Sequence, residues 1–334
     1  MIHKTPLVSI SVVTYNHHSY IKQCLDGILM QQTNFPFEII LGEDESTDGT
    51  REICIEYANK YPDKINLFLR SRKDVIYING NPTGRYNFIE NLKVSKSKYI
   101  ALCEGDDYWT DPLKLQKQVD FLEGNEEYGI CFHESEVLWE GENKISFIKL
   151  NSDFNWNNMT PSKSVYTISD VLKGPFMATA SVVLRRNDLI DFPNWFYKAV
   201  SGDITLYALI LKNNKIKFIS EVMCVYRKHP GGITRVHSSN FIILNRIEML
   251  KNINTYYDNV YFLEIEQATS AYLHDIKYLN IKEMFQLLKL YLCSNIVKRH
   301  HIMLFTKKNI RKLINLISSS YFFYTRTVLK KFKN

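Results

Sequence analysis

Between Leu7 and Cys103 the chain alternates four times between short apolar runs and helical stripes, and no other feature narrows the fold as much. Leu7 to Thr14 sets Val8, Ile10 and Val12 on one side and Ser9 and Ser11 on the other, the two-residue period of a strand. Ile21, Cys24, Leu25, Ile28 and Leu29 then recur at helical spacing. Phe37 to Leu41 reads as a second strand, followed by a helix with Ile53, Cys54, Tyr57 and Ala58 inward, and Ile65 to Leu69 as a third. A loop with Gly80, Pro82 and Gly84 leads to a helix from about Tyr86 to Val94, then to a fourth strand, Tyr99 to Cys103. The pattern predicts an α/β fold, a mostly parallel sheet with helices on both faces.

What two of those strands run into points toward chemistry. Tyr99–Cys103 ends in Glu104-Gly105-Asp106-Asp107, where glycine lets the backbone turn, ahead of a helix with Leu115, Val119 and Leu122. Phe37–Leu41 runs into Gly42-Glu43-Asp44-Glu45-Ser46-Thr47-Asp48-Gly49-Thr50. Both acidic loops fall at the carboxyl ends of strands, where open α/β sheets place ligands. Crowded carboxylates repel unless a cation sits among them, and Mg²⁺ or Mn²⁺ takes oxygen ligands and shares them with phosphates. A solvated acidic turn capping the next helix is the plainer alternative, since Asp, Gly and Asp are ordinary turn residues. In the other loop Ser46 or Thr47 reads as the helix cap, with Asp48 favoured by the helix dipole. Glu43 and Asp44 precede that cap, and a carboxylate there can accept from a nucleobase N–H or a ribose hydroxyl. The pyrophosphate fingerprint G-x-G-x-x-G is absent, which argues against a dinucleotide oxidoreductase.

Beyond Leu122 the pattern changes. Tyr128–Leu138 and Lys144–Leu150 read as strands joined by a hairpin turn at Glu140-Gly141-Glu142-Asn143. Ala180–Leu184 is a short strand, Asp203–Leu211 a helix, and Ile216–Tyr226 a pair of strands around Ser220-Glu221. From about Ser239 the chain reads as helices. A length of 334 residues suits one large domain with an appendage, or two domains. The expected division is a body over 1–237 and a helical, basic region over 238–334.

The net charge of +7 is unevenly spread. From Ile281 onward 12 Lys and Arg face the single acid Glu283, leaving 30 bases and 34 acids before it. A mildly acidic body with a basic end excludes a whole-protein nucleic-acid binder and suggests a tail near something anionic. The six cysteines include no C-x-x-C pair and read as reduced core residues of a cytoplasmic protein. Met1–Pro6 is not a signal peptide, and no apolar stretch approaches the 18 residues of a membrane span.

Three segments carry a resemblance: Val12-Val13-Thr14-Tyr15-Asn16, Glu43 through Thr50, and Glu104-Gly105-Asp106-Asp107. Together they resemble family 2 glycosyltransferases of the glycosyltransferase-A fold, over roughly residues 6–235. Cys103 through Trp109 with Lys114-Leu115-Gln116-Lys117-Gln118 is similar to a bacterial branch that builds surface polysaccharides. The resemblance implies a nucleotide-sugar site formed by Thr14, Tyr15 and Asn16, with Tyr15 stacking on the base and Asp44 accepting the uracil N3 proton. Glu43 stands where the family usually has Asp. Arg85 and Asn87 lie where the family contacts nucleotide or sugar. Asp106 and Asp107 match the metal motif for Mn²⁺ or Mg²⁺, Asp107 as the more direct ligand. Asp203, in Ser201-Gly202-Asp203-Ile204, matches the general base, although a helix cap explains it as simply. In Tyr226–Ile233, His229 is a candidate further metal ligand, and Arg227 or Lys228 would neutralise phosphate. An exposed loop histidine is the competing reading of His229.

The implied reaction is inverting transfer of one sugar from a nucleotide sugar, preferably a UDP-sugar, to a glycan or lipid-linked saccharide. The cation offsets charge on the leaving diphosphate and one carboxylate takes the acceptor proton. None of the seven glutamines begins the Gln-x-x-Arg-Trp motif of processive synthases, so single transfer is expected. The competing functions are a sugar-nucleotide pyrophosphorylase, whose Gly-rich triphosphate loop is missing, and a catalytically inactive binding scaffold. The tail is expected either to pack on the body with a solvated basic face or to rest peripherally on anionic lipid, at about 1 kcal/mol per basic residue.

Overall fold

β1 (Val8–Thr14) shows why the sheet has two unlike faces. Val8, Ile10 and Val12 are fully buried among apolar side chains, while Ser9 and Ser11 point to the other side. The computed structural model describes residues 5–78, 80–140, 147–149, 163–186, 191–212, 214–232 and 239–275, with Glu283 and Gln286. α1 (Ile21–Leu29) leads to β2 (Phe37–Glu43), α2 (Thr50–Lys60) to β3 (Ile65–Leu69). A small antiparallel hairpin, β4 (Ile76–Ile78) with β5 (Asn81–Thr83), occupies the expected loop before α3 (Arg85–Val94) and β6 (Tyr99–Glu104).

β3, β2, β1 and β6 lie side by side and parallel, in that order. The chain winds outward from β1 to β3 and then crosses back to place β6 on β1's other side. A crevice outside the carboxyl ends of β1 and β6 follows from that reversal. α1 and α2 cover the face carrying Val8, Ile10 and Val12. α3 covers the opposite face, where Asn91 donates to the carbonyls of Val12 (2.9 Å) and Ile40 (3.0 Å).

The rest of the sheet is mixed. After β7 (Tyr108–Trp109) and α4 (Lys114–Gly124), β8 (Tyr128–Trp139) pairs antiparallel with β9 (Phe147–Lys149). β10 (Val165–Tyr166) and α5 (Ile168–Lys173) follow, then β11 (Val183–Arg185), which runs antiparallel between β6 and β8. α6 (Gly202–Ile210) precedes β12 (Lys215–Lys228), which lies parallel to β8 and holds β7 and β10 antiparallel. The parallel pairings are the longer ones, so the expected α/β class with a mostly parallel sheet is the one found.

Three expectations change. Residues 216–226 are one strand, not two; the ladder with β8 runs through them and skips between Ile219 and Val222, so Ser220 and Glu221 form a bulge. The expected strand at 180–184 begins as a 3-10 turn, Thr179–Ser181. α5 was unanticipated, although Thr167 and Asp170 form a capping box at its start. The turn expected at 140–143 falls mostly outside the described residues.

α7 (Ser239–Tyr256) and α8 (Phe262–Asp275) bury Leu244, Leu250, Ile253 and Ile265 in the same apolar cluster as α3, α5 and α6. The expected boundary at 237/238 and nearly all of the basic tail lie outside the described residues. Among the described residues no helix is long and apolar enough to cross a membrane. Five cysteines are free and buried, as expected; Cys293 lies outside.

Candidate active site at the strand tips

Register brings both acidic loops level with the end of β1. Thr14 lies opposite Glu43 of β2, and Val13 opposite Glu104 of β6. With strands about 4.8 Å apart, the acidic tips stand roughly 10 Å from each other across β1. Gly105 makes the close approach possible. Its φ is not in the left-handed region, so turning freedom is not the reason for glycine; a Cβ there would come within 2.7 Å of Thr14 Oγ1.

The β1 and β2 loops are tied together. Asn16, at φ 54°, accepts from Thr47 N (3.0 Å), and its own N–H donates to Ser46 Oγ (2.9 Å). His17 N donates to Thr50 Oγ1 (2.8 Å) and His18 N to Asp48 Oδ2 (3.0 Å). Ser46 and Thr47 therefore hold the neighbouring loop, and Gly49 takes the cap position they were expected to fill. Glu43 is fully buried, accepting from Ser46 N (2.7 Å) and paired with Arg51. Asp44 is buried beside it. Its Oδ2 accepts from Arg72 Nη1 (2.6 Å), while its Oδ1 has no partner. Burial pushes the Asp44 carboxyl up despite that arginine. The Arg72 guanidinium also covers the exposed Tyr15 ring at 4.2 Å.

On the other side of β1, Asp106 Oδ2 stands 3.1 Å from His229 Nε2 and 3.9 Å from His17 Nε2. Asp107 is buried, its Oδ1 accepting from Arg227 N (2.8 Å) and its Oδ2 left without a partner. Asp106 is common to two sets of three donors whose atoms lie within 4.8 Å of one another: His17, Asp106 and His229, and Glu104, Asp106 and Asp107. Burial, then the charges of Asp106 and Asp203, push Glu104 up to about 8. Burial, then the charges of Asp106 and Glu104, hold Asp107 well above the usual carboxylate range. For Asp106 burial acts upward as well, but the hydrogen bond from His229 and the charge of His17 outweigh it and hold the group low. An orphaned buried carboxylate oxygen beside imidazole and carboxylate donors fits a divalent cation.

Asp203 sits in the first turn of α6, where Ser201 is the cap residue. It makes no hydrogen bond or ion pair among the described residues, and its charge reaches Glu104 and Tyr207. The simple cap explanation for it is thereby removed. A hollow lined by Val171, Phe176, Met177, Ile204 and Tyr207 opens beside it. Arg85 and Asn87 turn inward. Arg85 Nη2 donates to the Ala199 and Val200 carbonyls just ahead of Gly202, where a side chain would strike its guanidinium. Asn87 donates to Gly42 O (2.8 Å) and accepts from Arg70.

Of the residues singled out from sequence, Thr14, Tyr15 and Asp44 meet at one tip, and Asp106, Asp107 and His229 at the other. Asn16, Glu43, Arg85 and Asn87 are engaged in the framework between and beneath them. His17, Arg72 and Glu104's proximity to Asp203 were missed. His17 could have been found, because it follows the strand tip by three residues; Arg72, arriving from beyond β3, could not.

The family model for glycosyl transferase family 2 matches residues 9–190. An uncharacterised protein of Mycobacterium tuberculosis is 36% identical over 227 residues, 68% of this chain and 60% of that protein. The chain thus matches less than two thirds of the length of that relative. The putative teichuronic acid biosynthesis glycosyltransferase TuaG of Bacillus subtilis is 32% identical over 117 residues, 35% of this chain and 42% of that one. Among solved structures, residues 1–349 of S. aureus TarS in complex with UDP-GlcNAc share the fold. The TM-score is 0.55 at 17% identity, covering 85% of this chain and 79% of that one.

Proposed function

The chain belongs to glycosyl transferase family 2, and on that premise we propose that it transfers one sugar, with inversion, from a nucleotide sugar to a saccharide or lipid-linked saccharide. The observation that carries this reading is the Asp203 carboxylate, without a hydrogen bond or ion pair among the described residues, beside an acidic tip whose buried Glu104 and Asp107 have no ion-pair partner there. The name of the Bacillus relative supports a role in surface-polysaccharide synthesis, and the UDP-GlcNAc bound by TarS supports a UDP-sugar donor.

The base stacks on Tyr15 and presents its N–H to the free Oδ1 of Asp44, with Arg72 moving aside or along its edge. Thr14 lines the path between base and phosphates. Asn16, Glu43, Arg85 and Asn87 shape these walls from within. Asp106, Asp107 and His229 would hold Mn²⁺ or Mg²⁺, which as a Lewis acid offsets the charge developing on the leaving diphosphate. Asp203 accepts the proton of the acceptor hydroxyl as that oxygen attacks the anomeric carbon from the face opposite the diphosphate, so the configuration inverts. Residues 1–237 carry this chemistry, and the basic segment 281–334 rests on anionic lipid at a cytoplasmic membrane face. Liposome binding unchanged by deletion of 281–334 would refute that last point.

The test is release of nucleoside diphosphate. Asp203→Asn should lower the rate by about 10²–10⁴-fold while donor binding persists. A thermal-shift screen should show stabilisation by one nucleoside diphosphate, dependent on Mn²⁺. A wild-type chain that binds nucleotide without turnover on any saccharide acceptor would instead be a binding scaffold.

A further inference from the structure

We propose that His17 is a direct ligand of the cation, joining His229, Asp106 and Asp107, and that the two imidazoles make the centre take Mn²⁺-like transition ions in preference to Mg²⁺. The inference rests on reading the acidic tip as a cation site and needs no assumption about donor or acceptor. Nothing in the matched segments separates His17 from His18; only their directions do. His17 turns its Nε2 toward Asp106 at 3.9 Å, and His229 turns its Nε2 toward the same oxygen at 3.1 Å. Two donors about 2.1 Å from one ion stand about 3.0 Å apart at a right angle and about 3.4 Å at a tetrahedral angle. The His229 spacing falls between these values, the His17 spacing exceeds the larger by about half an ångström, a shift within reach of a ring rotation, and all three donor atoms lie within 4.8 Å of one another. The two imidazoles are nearly perpendicular, at 85° with centroids 6.2 Å apart, so they converge without stacking.

Support for the His17 ring is already built. Its Nδ1 faces Thr14 Oγ1 at 3.3 Å, so a tautomer protonated at Nδ1 donates to that hydroxyl and leaves the Nε2 lone pair free. Ligating histidines ordinarily carry such an outer partner. Its backbone is fixed by the bond to Thr50 and by those of Asn16 and His18 on either side. The second observation is independent of the histidines. Asp107 Oδ2 is buried without a partner in the other donor set sharing Asp106, which places an unneutralised acceptor beside the same point. Imidazole suits Zn²⁺, Fe²⁺ and Ni²⁺, and carboxylate, carbonyl and water suit Mg²⁺ and Mn²⁺, so a mixed imidazole and carboxylate set favours a transition ion over Mg²⁺.

The experiment titrates Mn²⁺ into the full chain, with and without UDP, following the free ion by electron paramagnetic resonance and counting ¹⁴N couplings by electron spin echo envelope modulation. One Mn²⁺ with two nitrogen couplings is expected, displaced by Mg²⁺ only at tenfold excess or more. His17→Gln should lose one coupling and about tenfold in Mn²⁺ affinity, with the metal-free melting temperature unchanged. If Mn²⁺ binds with a single coupling, or His17→Gln keeps wild-type affinity, His17 is not a ligand although the cation site stands. If no Mn²⁺ binds in either condition, this inference and the metal part of the proposed function both fall. Should His17→Gln fail to fold, the nitrogen count of the wild-type chain decides.

Discussion

The acidic tips of β2 and β6 flank the same strand and look alike in sequence, yet they are neutralised in opposite ways. At β2, Glu43 is paired with Arg51 and Asp44 with Arg72, so the protein supplies its own cations. At β6, Glu104 and Asp107 have no ion-pair partner among the described residues, and Asp106 has only imidazoles. Burying an unpaired charge is costly, and the carboxyls answer by holding protons: Glu104 is pushed to about 8. The β2 tip therefore brings its own countercharges and leaves only Asp44 Oδ1 open, whereas Glu104 and Asp107 of the β6 tip have no countercharge among the described residues.

That contrast can be broken at either end. The largest expected effect is at Asp106, which both donor sets share. Asp106→Asn should reduce turnover by about 10³-fold, or roughly 4 kcal/mol, measured as nucleoside diphosphate release. Retained activity would mean the β6 tip does not work as a unit. Next, Arg51→Ala should cost about 3 kcal/mol of stability in denaturant unfolding, because it strands the fully buried Glu43. A neutral outcome would show that the β2 pairing is ornamental. A smaller effect of opposite sign is expected at the other tip: Asp107→Asn should raise the metal-free stability by about 1 kcal/mol while lowering turnover by about 10²-fold.

The smallest is a pH trend. Glu104 is raised from 4.5, so between there and about 8 the folded, metal-free chain keeps a proton that the unfolded chain has lost. Its contribution to stability is present below about pH 4.5 and disappears as pH rises toward 8. The melting temperature in chelator should fall by a few degrees across that window relative to Glu104→Gln, and saturating Mn²⁺ should remove the difference. A flat profile in chelator would show that the β6 tip is not strained by charge.

Much of this was legible from local pattern. β1, α1, β3 and α3 fall within a residue or so of where periodicity sets them, because each buries one face and repeats at its own period. The acidic runs were found for the same reason, being contiguous. Residues 216–226 read as two strands because a polar Ser220-Glu221 break can mark either a turn or a bulge, and only β8 alongside decides between them. Arg85 and Asn87 were expected to reach the ligand. Their carbonyl partners at 199–200 and 42 are set by chain crossing, which no spacing along the sequence encodes.

The sequence by itself determined the alternating α/β plan, the order of strands and helices, and the presence of carboxylates at two strand tips. The tertiary structure alone decided which carboxylates are neutralised and which are left without a countercharge among the described residues. Charge compensation acts through space over a few ångströms, and the groups that supply or withhold it, Arg72, His229 and Asp203, arrive from segments up to 123 residues from the acids they face.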